Sequence, residues 1–363
     1  MHINRVILKN FRNIADADIE LGQGINVMYG ENAQGKTNFL ESVYFCATSR
    51  SHRGGRDKDL IMMGQKETAL RISVESQGYV DEIKIGISKD GKETTINGLP
   101  ASRLGDLFGR LCCVIFSPED LSLVKAGPGV RRRFMDMELC QMYPSYYHDL
   151  RMYYRVLKQR NNLLKEITKN RKLIESLEIW DAQLVLYGNK IMSARRIFVD
   201  KLSTIACENQ RKITDNQEEL TVAYKNQVNE YEFLDKLARN RDFDILRGST
   251  GNGIHKDDIE FKINGICGRV FASQGQQRTA ALAVKLAQID LLHAEKGHLP
   301  VLLLDDVLSE LDAGRQNYLL GRIEGLQTII TLTGAESAVG GYLRQHGVKI
   351  FNVEKGVFSV GDD

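Results

Sequence analysis

The chain has 363 residues, 42% of them hydrophobic and 26% charged, the composition of a soluble globular protein with more than one average domain but too little length for three large ones. Lys and Arg number 49 against 47 Asp and Glu, a net charge of +2, so the total charge carries no argument for nucleic acid and any basic surface has to be local. No apolar run approaches the ~20 residues of a membrane span, no signal-peptide core is present, and Cys46, Cys112, Cys113, Cys140, Cys207 and Cys267 show no C-x-x-C spacing. They read as buried free thiols in a reducing cytoplasm.

Residues 1–21 read as two strands, the first carrying Ile3, Val6, Ile7 and Leu8, the second residues 17–21, with Phe11, Arg12 and Asn13 in the turn. Residues 24–29 make a buried strand. The loop Gly30-Glu31-Asn32-Ala33-Gln34-Gly35-Lys36-Thr37 follows and fits the phosphate-binding pattern G-x-x-x-x-G-K-[ST]. Residues 37–48 place Phe39, Leu40, Val43, Tyr44 and Ala47 at helical spacing. Strand, glycine loop and helix are what the pattern needs: backbone N–H groups converge on phosphate and the helix start adds positive potential. That potential supplies only about 0.3–1 kcal/mol, so Lys36 on the β- and γ-phosphates and a Mg²⁺ on Thr37 have to carry much of the binding.

Residues 49–56 form a basic, glycine-bearing loop, either a free surface loop or a segment near nucleotide or nucleic acid. Residues 69–75, 80–88 and 93–96 read as antiparallel strands, with Asp90-Gly91 and Asn97-Gly98 as turn signals. A short helix is expected over 103–108 and a central strand over 111–116. Ser117 caps a helix with Pro118 at its first position. Another helix starts at 127–133, where Arg131, Arg132 and Arg133 are either a phosphate-contacting patch or a run that no single ligand can meet in full. Long amphipathic helices are expected over 146–168 and 179–207, with Lys158 and Arg160 as basic surface, residues 169–172 as a solvated hairpin tip, and the tyrosines in the core. A short strand at 220–224 and a loop at 247–258 follow. Then come a strand at 259–263, a second ending near Phe271, a helix opened by Ser273, and strands at 301–306, 327–331 and 348–353 with helices between.

The apolar strand ending Leu304-Asp305-Asp306 is the partner a phosphate loop requires. Asp305 is assigned to Mg²⁺ through water, and Asp306 to orienting or deprotonating the attacking water. Asp is shorter than the Glu found there in many relatives, so hydrolysis is expected to be slow. Lys36 and Asp305 lie about 270 residues apart, and residues 145–299 hold no proline, which makes that largely helical stretch an insertion into one ATPase domain. Ser273, Gln274, Gly275 and Gln276 at a helix start make a second anion site and resemble the signature of ATP-binding cassette ATPases. In that class the signature meets the γ-phosphate held by a second subunit. Ser309 to Asp312 sits where the class has its subunit-facing loop, and Leu332 and Thr333 stand where it has a switch histidine.

Taken together, Asn10-Phe-Arg-Asn13, Tyr29 to Asn38, Arg50-Ser-His-Arg53, Phe116-Ser-Pro-Glu-Asp-Leu121, Arg131-Arg-Arg-Phe134, Leu157-Lys-Gln-Arg-Asn161, Ser273-Gln-Gly-Gln-Gln-Arg278 and Leu304-Asp-Asp-Val307 resemble the RecF family of recombination-repair ATPases, relatives of the heads of structural-maintenance-of-chromosomes (SMC) proteins and Rad50. The resemblance spans nearly the whole chain. It implies an α/β head of ABC/SMC type, lobe I, from residues 1–125 and 247–363, with a mainly helical lobe II inserted at 126–246. It also implies ATP and Mg²⁺ as cofactors, an ATP-dependent homodimer, binding of double-stranded DNA at single-/double-strand junctions, and weak DNA-stimulated hydrolysis. Work with RecR, and indirectly RecO, to load RecA in repair and the SOS response follows by the same route. Arg12 and Asn13 would touch nucleotide phosphates, beside a loop extending to Asn38. Ala33 replaces a glycine common in related loops and is expected to be tolerated. Gly253-Ile-His-Lys256 departs from the usual Gly-Pro-His-Arg. A transporter cassette is the poorer reading, given Asp306 and the missing switch histidine. A non-hydrolysing, nucleotide-gated scaffold is opposed by the intact Asp305 and Asp306.

Overall fold

Residues 1–333 and 348–361 are described in the computed structural model, and contacts divide the chain into two units, Met1–Leu121 with Ala281–Asp363, and Ser122–Ala280. The first unit opens with β1 (His2–Phe11), β2 (Ile14–Glu20), β3 (Ile25–Tyr29), α1 (Lys36–Thr48), β4 (Glu67–Ser76), β5 (Tyr79–Ser88), β6 (Gly91–Ile96), β7 (Leu99–Pro100) and β8 (Cys113–Phe116). The chain then forms the second unit from α2 (Leu121–Lys125), α3 (Pro128–Met142), α4 (Pro144–Ile167), α5 (Leu177–Ile213), β9 (Leu220–Lys225), α6 (Phe233–Arg239), α7 (Arg241–Arg247), β10 (Asp258–Ile263), β11 (Ile266–Cys267) and α8 (Gly268–Phe271). Helix α9 (Gln274–Lys296) leads back to β12 (Val301–Asp305), α10 (Ala313–Arg322), β13 (Thr328–Leu332), β14 (Lys349–Glu354) and β15 (Val357–Val360). Helices expected between residues 331 and 348 lie outside the described residues.

Among the described residues two sheets form in the first unit. The antiparallel sheet runs β2-β1-β4-β5-β6-β7, and its strands alternate: Leu70, Ile72 and Val74 of β4 and Ile83, Ile85 and Ile87 of β5 point inward, the period-2 pattern of a sheet with one wet face. The other sheet runs β15-β14-β3-β13-β12-β8 and is parallel except for β15. Its strands β3, β13 and β12 are buried along almost their whole length, as parallel strands covered on both faces must be. Helix α1 shares one apolar core with both sheets and is buried nearly all round, which explains why its apolar residues do not keep to one stripe. The expected central strand at 111–116 is β8, at the sheet edge beside β12. It is buried despite that position, so its composition imitates a central strand.

In the second unit α4 packs on α5, a helix of 37 residues and thus about 55 Å long. The inserted lobe is expected to end at 246; by contacts the second unit runs on to 280. Residues 258–263 pair as β10 with β9, and Arg131 grips Asp258 while Arg195 grips Asp257, so this stretch belongs with the inserted unit. The second strand stops at Cys267 and gives way to α8. Arg160 is a further correction. It is fully buried, donating to Asp181 (2.6 Å), Asp244 (2.7 Å) and Thr250 Oγ1 (2.8 Å). Arg131 is buried too and holds both oxygens of Asp258, which removes it from any surface patch. Tyr146 and Tyr153 are core residues, whereas Tyr154 is 42% exposed.

Candidate functional site

Strand β3 ends at Tyr29, paired to β13 on one side and β14 on the other, and delivers the phosphate loop at its C-terminal end. Gly30 has φ +155, and a Cβ there would sit 2.3 Å from the Val353 carbonyl oxygen of β14, so only glycine fits. Ala33 adopts φ 64, the left-handed region, so the substitution at this loop position carries strain that the sequence reading did not foresee. Lys36, 6% exposed, donates from Nζ to the carbonyls of Gly30 (2.5 Å) and Glu31 (2.6 Å). Burial pushes its pKa down, opposed by the charges of Asp306 and Asp305. Glu31 and Asn32 are exposed.

The acidic strand lies one strand away, with β13 between β12 and β3. Thr37 Oγ1 donates to Asp305 Oδ1 at 2.8 Å across 268 residues of sequence. Asp305 is 4% exposed, and desolvation raises its pKa against the hydrogen bonds from Thr37 and Thr331. A buried carboxylate and a hydroxyl this close are hard oxygen donors of the kind Mg²⁺ takes alongside phosphate oxygens. Asp306 lies just past the strand at φ 52. Its N–H donates to Thr331 Oγ1 (2.9 Å), and Ser309 Oγ donates to its carbonyl oxygen (2.7 Å).

The β1–β2 turn flanks the loop. Asn13 reaches the Ala33 carbonyl oxygen (3.4 Å) and accepts from Asn38 (2.8 Å), and Arg53 donates to Asn38 (3.1 Å). Arg12 does not point at the loop. Its guanidinium holds both oxygens of Glu41 on α1 (2.9 and 2.8 Å) and the Asp59 carbonyl oxygen (2.8 Å). Burial works to raise the pKa of Glu41, but the hydrogen bonds from Arg12 and Ser51 outweigh it and hold the group below its ordinary value. The 49–56 segment is therefore tied to the loop's helix through Ser51 and Arg53.

In the second unit Ser273 and Gln276 bond reciprocally: the Ser273 N–H donates to Gln276 Oε1 (3.0 Å), and the Gln276 N–H to Ser273 Oγ (3.2 Å). This is a capping box at the start of α9. Ser273 and Gln274 are exposed, and Gly275 and Gln276 partly so. The structure thus gathers Asn13, Lys36, Thr37, Asn38, Asp305 and Asp306 within one unit and leaves the four signature residues in the other.

Three features escaped the sequence reading. Glu41 was signalled only by a lone carboxylate in an apolar helix. Thr331 gave no signal. The β14–β15 turn, Lys355-Gly356, has both residues at positive φ (49 and 79), a type I′ hairpin. It latches the loop: the N–H groups of Lys355 and Gly356 donate to Oε1 and the carbonyl oxygen of Gln34 (2.7 and 2.8 Å). A Cβ on Gly356 would lie 2.4 Å from the Asn13 carbonyl oxygen.

The family model of the RecF/RecN/SMC N-terminal domain matches residues 2–357. The DNA replication and repair protein RecF of Lachnospira eligens is 44% identical over 98% of this chain and 98% of its own. That of Lachnoclostridium phytofermentans is 42% identical over 99% of this chain and all of its own. A solved structure of the recombination mediator protein RecF with ATP in the RecFOR pathway superposes with TM-score 0.93 at 34% identity, covering 99% of this chain and 98% of that one. An Smc head from Pyrococcus furiosus bound to the C-terminal domain of ScpA shares the fold, with TM-score 0.56 at 15% identity over 99% and 96% of the two chains. Among the described residues no helix is long and apolar enough to cross a membrane. The fold is that of an ABC/SMC-type ATPase head with an inserted second lobe, and the chain belongs to the RecF/RecN/SMC N-terminal domain family, on its RecF branch.

Proposed function

We propose that the chain is an ATP-dependent DNA-binding recombination mediator whose nucleotide site is completed by a second copy. The observation that carries this reading is the Thr37–Asp305 hydrogen bond of 2.8 Å, which joins the phosphate loop to the acidic strand. Lys36 exchanges its loop carbonyls for the β- and γ-phosphates; Thr37 and Asp305 would hold Mg²⁺, which would supply charge neutralisation. Asp306 orients the attacking water. Ser273, Gln274, Gly275 and Gln276 of one copy meet the nucleotide of the other, at a helix start suited to anions. Asn13 serves the phosphates from the β1–β2 turn, while Arg12 braces α1 through Glu41. ATP is then the glue of a homodimer, and its slow, DNA-stimulated hydrolysis releases it.

The relatives named as replication and repair proteins, and the structure named for the RecFOR pathway, support the cellular side of the reading. The dimer binds double-stranded DNA near gaps and, with RecR and RecO, promotes RecA loading in the cytoplasm. Sedimentation with and without ATP tests it. Lys36→Ala abolishes ATP-dependent dimerisation. Ser273→Arg keeps nucleotide binding by the monomer nearly intact and blocks the dimer; a variant that still dimerises with ATP overturns the shared site.

A further inference from the structure

Thr331 on β13 is 1% exposed and stands opposite Asp305 in the parallel register. Its hydroxyl does two things. Oγ1 donates to Asp305 Oδ1 at 3.1 Å, a shorter contact than its 3.5 Å approach to the Leu304 carbonyl oxygen. The same oxygen accepts the Asp306 N–H at 2.9 Å. Asp305 Oδ1 therefore takes two hydroxyl donors, Thr37 from the phosphate loop and Thr331 from the intervening strand, which fixes its rotamer. Asp306 has left the strand for the left-handed region, φ 52, a conformation a non-glycine residue keeps only where its surroundings hold it. Thr331 holds its N–H while Ser309 holds its carbonyl oxygen.

We infer that Thr331 is a positioning residue of the nucleotide site, its one hydroxyl setting both the side chain of Asp305 and the main-chain turn that aims Asp306. The inference rests on the proposed ATPase reading. The Thr331 hydroxyl meets Asp305, the Leu304 carbonyl oxygen and the Asp306 N–H. It acts through the two carboxylates, as partners that orient a metal-facing ligand do. A threonine retained merely to fill a strand would be replaceable by valine, which has the same shape and no hydroxyl.

Thr331→Val and Thr331→Ser separate these roles. Three quantities are measured on the full chain: thermal unfolding without nucleotide, the Mg²⁺ concentration giving half-maximal binding of a fluorescent ATP analogue, and single-turnover hydrolysis. Loss of the hydroxyl in Thr331→Val is expected to raise the Mg²⁺ midpoint by about 10-fold and to slow hydrolysis by about 10–100-fold, the range for such orienting partners. Thr331→Ser, which loses packing but keeps the hydroxyl, restores both to within about 3-fold of the parent even where its unfolding temperature is lower. A Thr331→Val protein with the parental Mg²⁺ midpoint overturns the assignment, as does a serine variant no better than the valine one. A parent chain that binds Mg²⁺–ATP without hydrolysing it sinks the hydrolytic reading of the site, while the Mg²⁺ midpoints still decide Thr331. A parent that binds no Mg²⁺–ATP overturns both.

Discussion

Arg12→Ala isolates the interaction that the structure puts where phosphate contact was expected. The Glu41 side chain is 0% exposed and that of Arg12 24%. Two hydrogen bonds of 2.9 and 2.8 Å join them. Removing one member of a buried pair generally costs 3–5 kcal/mol, because the survivor is left charged and dry. Glu41 keeps the Ser51 hydroxyl at 2.5 Å and Arg53 at 3.8 Å, so the low end applies, about 3 kcal/mol. Glu41→Gln costs less, on the order of 1–2 kcal/mol, since Arg12 can turn to water and the amide still accepts from Ser51. The double variant should be less destabilised than the sum of the two, by about 1–2 kcal/mol of coupling. The assay has to observe the first unit. Trp180, the sole tryptophan, lies on α5 in the other unit, so hydrogen exchange of the α1 amides is the appropriate measurement. Additive effects, or an Arg12→Ala cost below about 0.5 kcal/mol, would refute the buried pair as a clamp on α1.

Two further outcomes follow from single residues. Gly356→Ala places a methyl 2.4 Å from the Asn13 carbonyl oxygen at φ +79. It is expected to cost about 2–3 kcal/mol and, by loosening the latch on Gln34, to weaken ATP binding measured by calorimetry; unchanged affinity and stability would show that the hairpin does not brace the loop. His255 is neutral, its pKa depressed to about 4, chiefly by desolvation, and its Nε2–H donates to the Thr250 carbonyl oxygen at 3.1 Å while Nδ1 accepts from the Tyr153 hydroxyl at 2.9 Å. The unfolded chain protonates near pH 6.5 and the native one near 4, so stability is full above pH 6.5 and falls as the pH drops. The loss is about 2 kcal/mol by pH 5. Denaturant unfolding followed by Trp180 fluorescence checks this, and His255→Asn should flatten the slope.

The sequence by itself determined the phosphate loop, its flanking strand and helix, the acidic partner strand and the helix start at Ser273. Each is written in neighbouring residues: a glycine spacing, a run of β-branched side chains, a capping pattern. It also determined the insertion, because a loop and its acidic partner so far apart leave a helical stretch to be housed. Tertiary structure alone decided which polar groups face the site. Arg12, Arg131 and Arg160 look alike in sequence, yet each is committed to a carboxylate contributed from 29, 127 and, at the nearest, 21 residues away. A charge leaves solvent only when its counter-charge arrives, and that arrival is set by packing. Thr331 is invisible for the same reason: a hydroxyl in an apolar strand acquires its role from the register that sets β13 between β3 and β12.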